Sequence, residues 1–125
     1  MPTSPTDTRS PLFTDLYQLT MLQAYFREEM REPAVFDLFV RRLRHRNYLV
    51  ACGLETVLDF LETLRFTDDE LDYLADQDTF EDDFLDYLAG FRFTGDVYAM
   101  PEGTPVFPDE PILEVVAPIG EAQLV

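Results

Sequence analysis

The feature that most constrains this chain is a helical core stripe enclosed between segments that cannot be helices. Leu54, Val57, Leu58, Leu61 and Leu64 recur at three- and four-residue intervals, so they belong to a helix with one buried face. Upstream, "AVFDLFVRR" is β-branched and aromatic, with Phe36, Leu38 and Val40 on one side and Val35, Asp37, Phe39 and Arg41 on the other. Downstream, "FTGDVYAM", "TPVF" and "PILEVVAP" are short β segments separated by "PEG" and "PDEP" turn chemistry. Their prolines sit at segment edges, where edge strands and tight turns tolerate them. Strands on both sides of a helical block predict an α+β domain, with helices on one face of a mixed or antiparallel sheet.

The rest of the chain fits that frame. "PLFTDLYQLTMLQAYF" predicts a helix capped by Thr14 or Asp15, running to about Met30 and stopped by Pro33. Its apolar residues form two adjoining stripes: Leu19, Leu22 and Phe26, and then Tyr17, Met21, Ala24 and Tyr25. A helix this apolar needs cover on more than one side. "YLVACG" predicts a short second strand, joined to the first by the basic connection "RLRHRN". "TDDE", Thr67 to Glu70, is a capping box. "LDYLA" occurs at Leu71 and again at Leu85 on short acidic amphipathic helices, too few copies for a repeat architecture. "GEAQLV" reads as the start of one more helix. The expected organisation is a flexible lead-in at 1–11, an α+β domain at 12–118, and at 119–125 the start of a helix leading into something longer.

Length and charge narrow the function. A chain of 125 residues has the size of one domain. Its formal charge is −16 and all its basic residues are Arg. Such a surface repels phosphates at long range, which argues against nucleic acid or an anionic membrane as partner. Selected arginines can still hold a small phosphate ligand locally. Cys52 is the only cysteine, so there is no internal disulfide and no cysteine zinc site; in "LVACG" it is expected to be a buried, inert thiol. No apolar run reaches bilayer length, and "MPTSPTDTRSP" has no signal-peptide core, so the expected location is the cytoplasm.

Residue chemistry alone yields no complete catalytic constellation. His45, the only histidine, stands in the basic connection, where a phosphate contact and a general base are open readings and a solvent-facing imidazole is the commoner one. The carboxylate runs "TDDELD" and "FEDDFLD" have the spacing of solvated helix faces rather than of convergent metal ligands. Phosphate-binding glycine loops, HExxH and CxxC are absent. Two spots remain as candidates for a ligand: the first turn around Asp15 and Tyr17, and the Arg-rich end of the first strand.

These spots lie within a wider pattern. "LFTDLYQLTMLQAYF", "AVFDLFVRR", "YLVACGLETVLDFLETLRFT", "FLDYLAGFRFTGDVYAMPEGTPVFPDEPILEVVAP" and "EAQL" together resemble, in order and spacing, the N-terminal region of nicotinate phosphoribosyltransferases from about Leu12 to Val125. The chain departs from the commonest family form at "RLRHRNYLV", where that form carries a Pro-Phe-Gly-Gly-like loop.

The resemblance implies an N-terminal open-faced sandwich joined to an α/β barrel that this chain does not include. It implies an enzyme condensing nicotinate with phosphoribosyl pyrophosphate, coupled to ATP with Mg2+, to give nicotinate mononucleotide in NAD salvage. It further implies a head-to-tail homodimer in which Tyr17 stacks on the pyridine ring in the neighbouring subunit's site, Asp15 orients site residues and Arg41 faces the phosphates. No catalytic residue falls within this chain on that reading; His45 comes too early to be the family's phosphorylated histidine, and the chain alone is expected to be inactive. For each residue a simpler reading stands beside the implied one: Tyr17 as a core aromatic, Asp15 as a plain N-cap, Arg41 in a surface salt bridge. "TDLYQ" favours the acid substrate over nicotinamide, and a catalytically silent binding domain is the alternative from another class.

Overall fold

The computed structural model describes residues 10–42 and 44–125. Most of the expected lead-in therefore lies outside the described residues. Ser10 is half-buried and Pro11 is buried, and the Ser10 hydroxyl donates to the Glu70 carboxylate.

Helix α1 spans Leu16–Arg27, three residues shorter than expected, because the chain turns through Glu29 at φ 53° before Pro33. Strand β1 (Pro33–Phe39) follows. The second predicted strand shrinks to β2, Leu49–Val50, which pairs with β4, Pro105–Val106. Gly53 stands at φ 94°, a left-handed conformation that glycine adopts without steric cost, and it swings the chain into α2, Leu54–Thr63. The strand stops at Val50, so Cys52 lies in the turn before α2 and is exposed, not buried as expected.

Helix α3 (Asp68–Ala75) carries the capping box: the Glu70 carboxylate accepts from the Thr67 backbone N–H at 2.8 Å, and the Glu70 N–H donates to the Thr67 hydroxyl at 3.4 Å. Helix α4 spans Asp82–Ala89. Strands β3 (Asp96–Ala99) and β5 (Pro111–Pro118) complete the sheet, and α5 (Ile119–Leu124) follows β5 directly.

The main sheet is three-stranded and antiparallel in the order β1-β5-β3. This is an α+β fold with small antiparallel sheets. Ala34, Phe36 and Leu38 stand opposite Ala117, Val115 and Leu113, so they share one sheet face. Against that face α5 buries Ala122, forming a small apolar cluster with Val115 and Ala117. The larger core is helical and aromatic: Leu19 and Leu22 of α1 meet Leu74, Phe80, Phe84, Leu88 and Phe91. Phe84 lies 5.8 Å from Phe26 and 5.9 Å from Tyr87 between ring centroids, separations at which aromatic pairs attract.

Gln23 joins α1 to the segment entering α4. It is buried, its Nε2 donates to the Thr79 carbonyl at 3.3 Å, and its Oε1 accepts from the Glu81 N–H at 2.9 Å. Both ends of the amide are satisfied by one stretch of backbone, as a buried polar group requires.

Candidate functional site

The two stripes of α1 have different fates. Leu19 and Leu22 are buried in the helical core, whereas Tyr17, Met21 and Tyr25 line an open groove of about 530 Å³. The opposite wall is the sheet face of Phe36, Leu38, Leu113 and Val115, and α5 contributes Ala122 and Gln123. Tyr17 is 55% exposed, so the core-aromatic reading fails. Its hydroxyl accepts from Gln18 Nε2 at 3.2 Å, a contact between chain neighbours.

Asp15 is the N-cap of α1 in an extended conformation, and its carbonyl accepts from the Gln18 N–H at 3.0 Å. Its carboxylate makes no capping hydrogen bond. A capping aspartate normally spends that carboxylate on the free N–H groups of the first turn. Here Asp15 is exposed and holds the turn through its backbone carbonyl.

Arg41 lies beyond the end of β1, is exposed, and does not line the groove. The backbone just before it is pinned, because the Val40 carbonyl accepts from the Asp109 N–H at 2.9 Å. Arg42, Arg44, His45 and Arg46 are exposed as well, and no ion pair engages any of these cations among the described residues. The structure thus brings Asp15 and Tyr17 together in one turn and leaves Arg41 at a separate strand end.

Gln123 went unnoticed in the sequence. It is 8% exposed, and neither Nε2 nor Oε1 has a hydrogen-bond partner among the described residues. The available signal was an amide in the apolar setting of "GEAQLV", between Ala122 and Leu124.

Among the described residues no group of three or more His, Cys, Asp or Glu side chains could hold a metal ion, and no helix is long and apolar enough to cross a membrane. Among the described residues one titratable group is clearly perturbed. Burial raises the Tyr87 phenol above its ordinary value, Glu121 raises it further, and Arg31 opposes both.

A family model described as the nicotinate phosphoribosyltransferase N-terminal domain matches residues 12–125. The chain belongs to the nicotinate phosphoribosyltransferase family. Nicotinate phosphoribosyltransferase pncB2 of Mycobacterium tuberculosis (strain CDC 1551 / Oshkosh) is 55% identical over 115 residues, which cover 91% of this chain and 25% of that protein. Nicotinate phosphoribosyltransferase of Bacillus subtilis (strain 168) is 47% identical over 116 residues, covering 91% of this chain and 24% of its own length. The crystal structure of human nicotinic acid phosphoribosyltransferase superposes with a TM-score of 0.78 at 34% identity, over 89% of this chain and 23% of that one. The chain thus spans about a quarter of the length of these nicotinate phosphoribosyltransferases.

Proposed function

We propose that this chain is the N-terminal part of an enzyme that condenses nicotinate with phosphoribosyl pyrophosphate, coupled to ATP hydrolysis, in cytoplasmic NAD salvage. The products are nicotinate mononucleotide and pyrophosphate: the pyridine nitrogen bonds to the sugar's anomeric carbon, and pyrophosphate leaves with the bonding electrons. Support comes from the family match over residues 12–125. The N-terminal domain, an open-faced sandwich with helices on one face of its sheet, precedes a barrel that holds the chemistry.

The single observation that carries the site is Tyr17, an aromatic ring in the first turn of α1 that is 55% exposed. A flat, electron-poor pyridine ring suits such a platform. The Asp15 carboxylate beside it, which makes no capping hydrogen bond, orients a neighbouring donor. Arg41 supplies a planar, always-charged fork suited to phosphate oxygens. The three act in the site of a neighbouring subunit in a homodimer. ATP and Mg2+ would be held mainly by the barrel, since the described residues offer no donor set for the ion.

The test is a structure of this chain in its full-length context with nicotinate bound. Tyr17 is expected within stacking distance of the ring across the dimer; a ring seated against other aromatics, with Tyr17 remote, overturns the assignment.

A further inference from the structure

The first turn of α1 carries Tyr17, yet no side chain of the helix caps its open end. The Asp15 carboxylate makes no cap, and no acidic side chain stands in the first turn to offset the helix dipole. An uncapped end frays, and Tyr17 is the second residue of the helix. A ring that stacks on a ligand must be held in place before the ligand arrives. The restraint has to come from outside α1.

Glu70 and Ser10 supply it. In the capping box of α3, Glu70 Oε2 accepts both the Thr67 N–H at 2.8 Å and the Thr67 hydroxyl at 2.9 Å. The box is then complete with one oxygen, and Oε1 is left over. That second oxygen accepts from the Ser10 hydroxyl, 60 residues earlier in the chain. Glu70 is 6% exposed, and a carboxylate so buried needs donors at both oxygens. The same Ser10 hydroxyl accepts from the Leu12 N–H at 3.1 Å, and the Ser10 carbonyl accepts from the Phe13 N–H at 3.0 Å. Residues 10–13 are thereby tied to a buried group, and the N-cap of α1 follows two residues later. Pro11 is buried and Leu12 packs against the helical core, but apolar contact is not directional. The hydrogen bonds at Ser10 are.

We infer that Glu70 is a positioning residue for the nicotinate site: through the Ser10 hydroxyl it holds the turn at 10–13, and through that turn the Asp15–Tyr17 end of α1, in the orientation that receives the ring. Glu70 itself touches no substrate, and α3 lines no part of the groove beside Tyr17. One bond between a serine and a distant capping box carries the effect. The functional meaning of the bridge rests on the Tyr17 platform proposed above; the bridge itself does not.

The test uses the chain in its full-length context. Ser10→Ala removes the bridge and leaves the capping box whole. Without substrate, hydrogen exchange of residues 14–20 is expected to rise about tenfold while residues 68–75 are unchanged. The KM for nicotinate is expected to rise about fivefold with kcat nearly constant, and Ser10→Thr, which keeps the hydroxyl, to restore both readings. Thr67→Ala is the control for stability alone: it damages the box but keeps the Ser10 bond, so it lowers the melting temperature without moving KM. Glu70→Ala shows both effects together. Added to Tyr17→Ala, Ser10→Ala raises KM no further, because it acts through that ring. Exchange at 14–20 that ignores Ser10→Ala overturns the bridge. A KM that stays put when exchange rises, or that rises equally in Thr67→Ala, reduces Glu70 to a structural residue. If Tyr17→Ala leaves KM unaltered while Ser10→Ala raises both exchange and KM, the ring platform falls and Glu70 positions another group of the same turn.

Discussion

Gly95 approaches Ala117 so closely that no side chain fits between them. A Cβ on Gly95 would overlap the Ala117 methyl and lie 2.5 Å from the Val116 carbonyl oxygen. Both neighbours belong to β5, the central strand of the sheet, and cannot move without disturbing two ladders. Gly95→Ala is therefore expected to destabilise the chain by about 2 kcal/mol or more, a fall of roughly 10 °C in melting temperature by circular dichroism. A shift of a degree or two would mean that β5 yields more easily than its two partners suggest.

The two N-caps should respond unequally. Thr67 makes a complete capping box, so Thr67→Ala is expected to cost about 1 kcal/mol in denaturant titration. Asp15 makes no side-chain cap, so Asp15→Asn should cost less than about 0.5 kcal/mol, leaving only its charge near the helix dipole. Equal losses would contradict the idea that the Asp15 carboxylate is free for other work.

Alkaline stability depends on Tyr87. Its folded phenol is held above the ordinary value of 10.0, chiefly by burial and then by Glu121. The unfolded chain therefore releases this proton first as pH rises. The phenol's contribution is fully present below the unfolded value and is lost as pH climbs through the raised folded value. Tyr87→Phe should flatten the alkaline limb of a melting-temperature profile and leave the neutral region little changed. An unaltered alkaline limb would place the titration elsewhere.

In the full-length context, Tyr17→Ala is expected to raise the KM for nicotinate about tenfold with a smaller change in kcat, and Tyr17→Phe to retain wild-type values, since the ring and not the hydroxyl forms the platform. Initial-rate kinetics decide it. An equally large loss in the Phe variant would shift the role to the hydroxyl.

The purified 125-residue chain should form no nicotinate mononucleotide from nicotinate, phosphoribosyl pyrophosphate and ATP. Turnover comparable to an intact relative would show that residues within 1–125 carry the chemistry.

Periodicity located α2 but overstated its buried face: Leu61 and Leu64 are buried, Leu54 and Val57 are only half-buried and Leu58 is exposed, because the larger helical core gathers around Phe84 and Leu88 and draws on α2 only at its end. The capping box at Thr67 was legible, since its partners are three residues apart. The Cys52 environment was not, because an apolar run reads as strand until a left-handed glycine ends it. Asp15 and Tyr17 were visible as an unusual first turn, but only the fold shows that the carboxylate does not cap the helix and that more than half of the ring is exposed. Gln123 depends on contacts between α5, α1 and β5, segments distant in sequence, and no local pattern reports a missing partner.

The pairing of Phe36 with Val115 joins segments about 80 residues apart, so the sheet has no short-range route to assembly. On the ribosome, β1 emerges long before the strand that must receive it, while the helical core from Leu19 to Phe91 can collect beforehand. For that interval the aromatic and aliphatic side chains of β1 have no sheet partner, and chaperone occupancy should peak there. The strand that frames the groove is thus synthesised well before its sheet partner and is among the last elements to find its place.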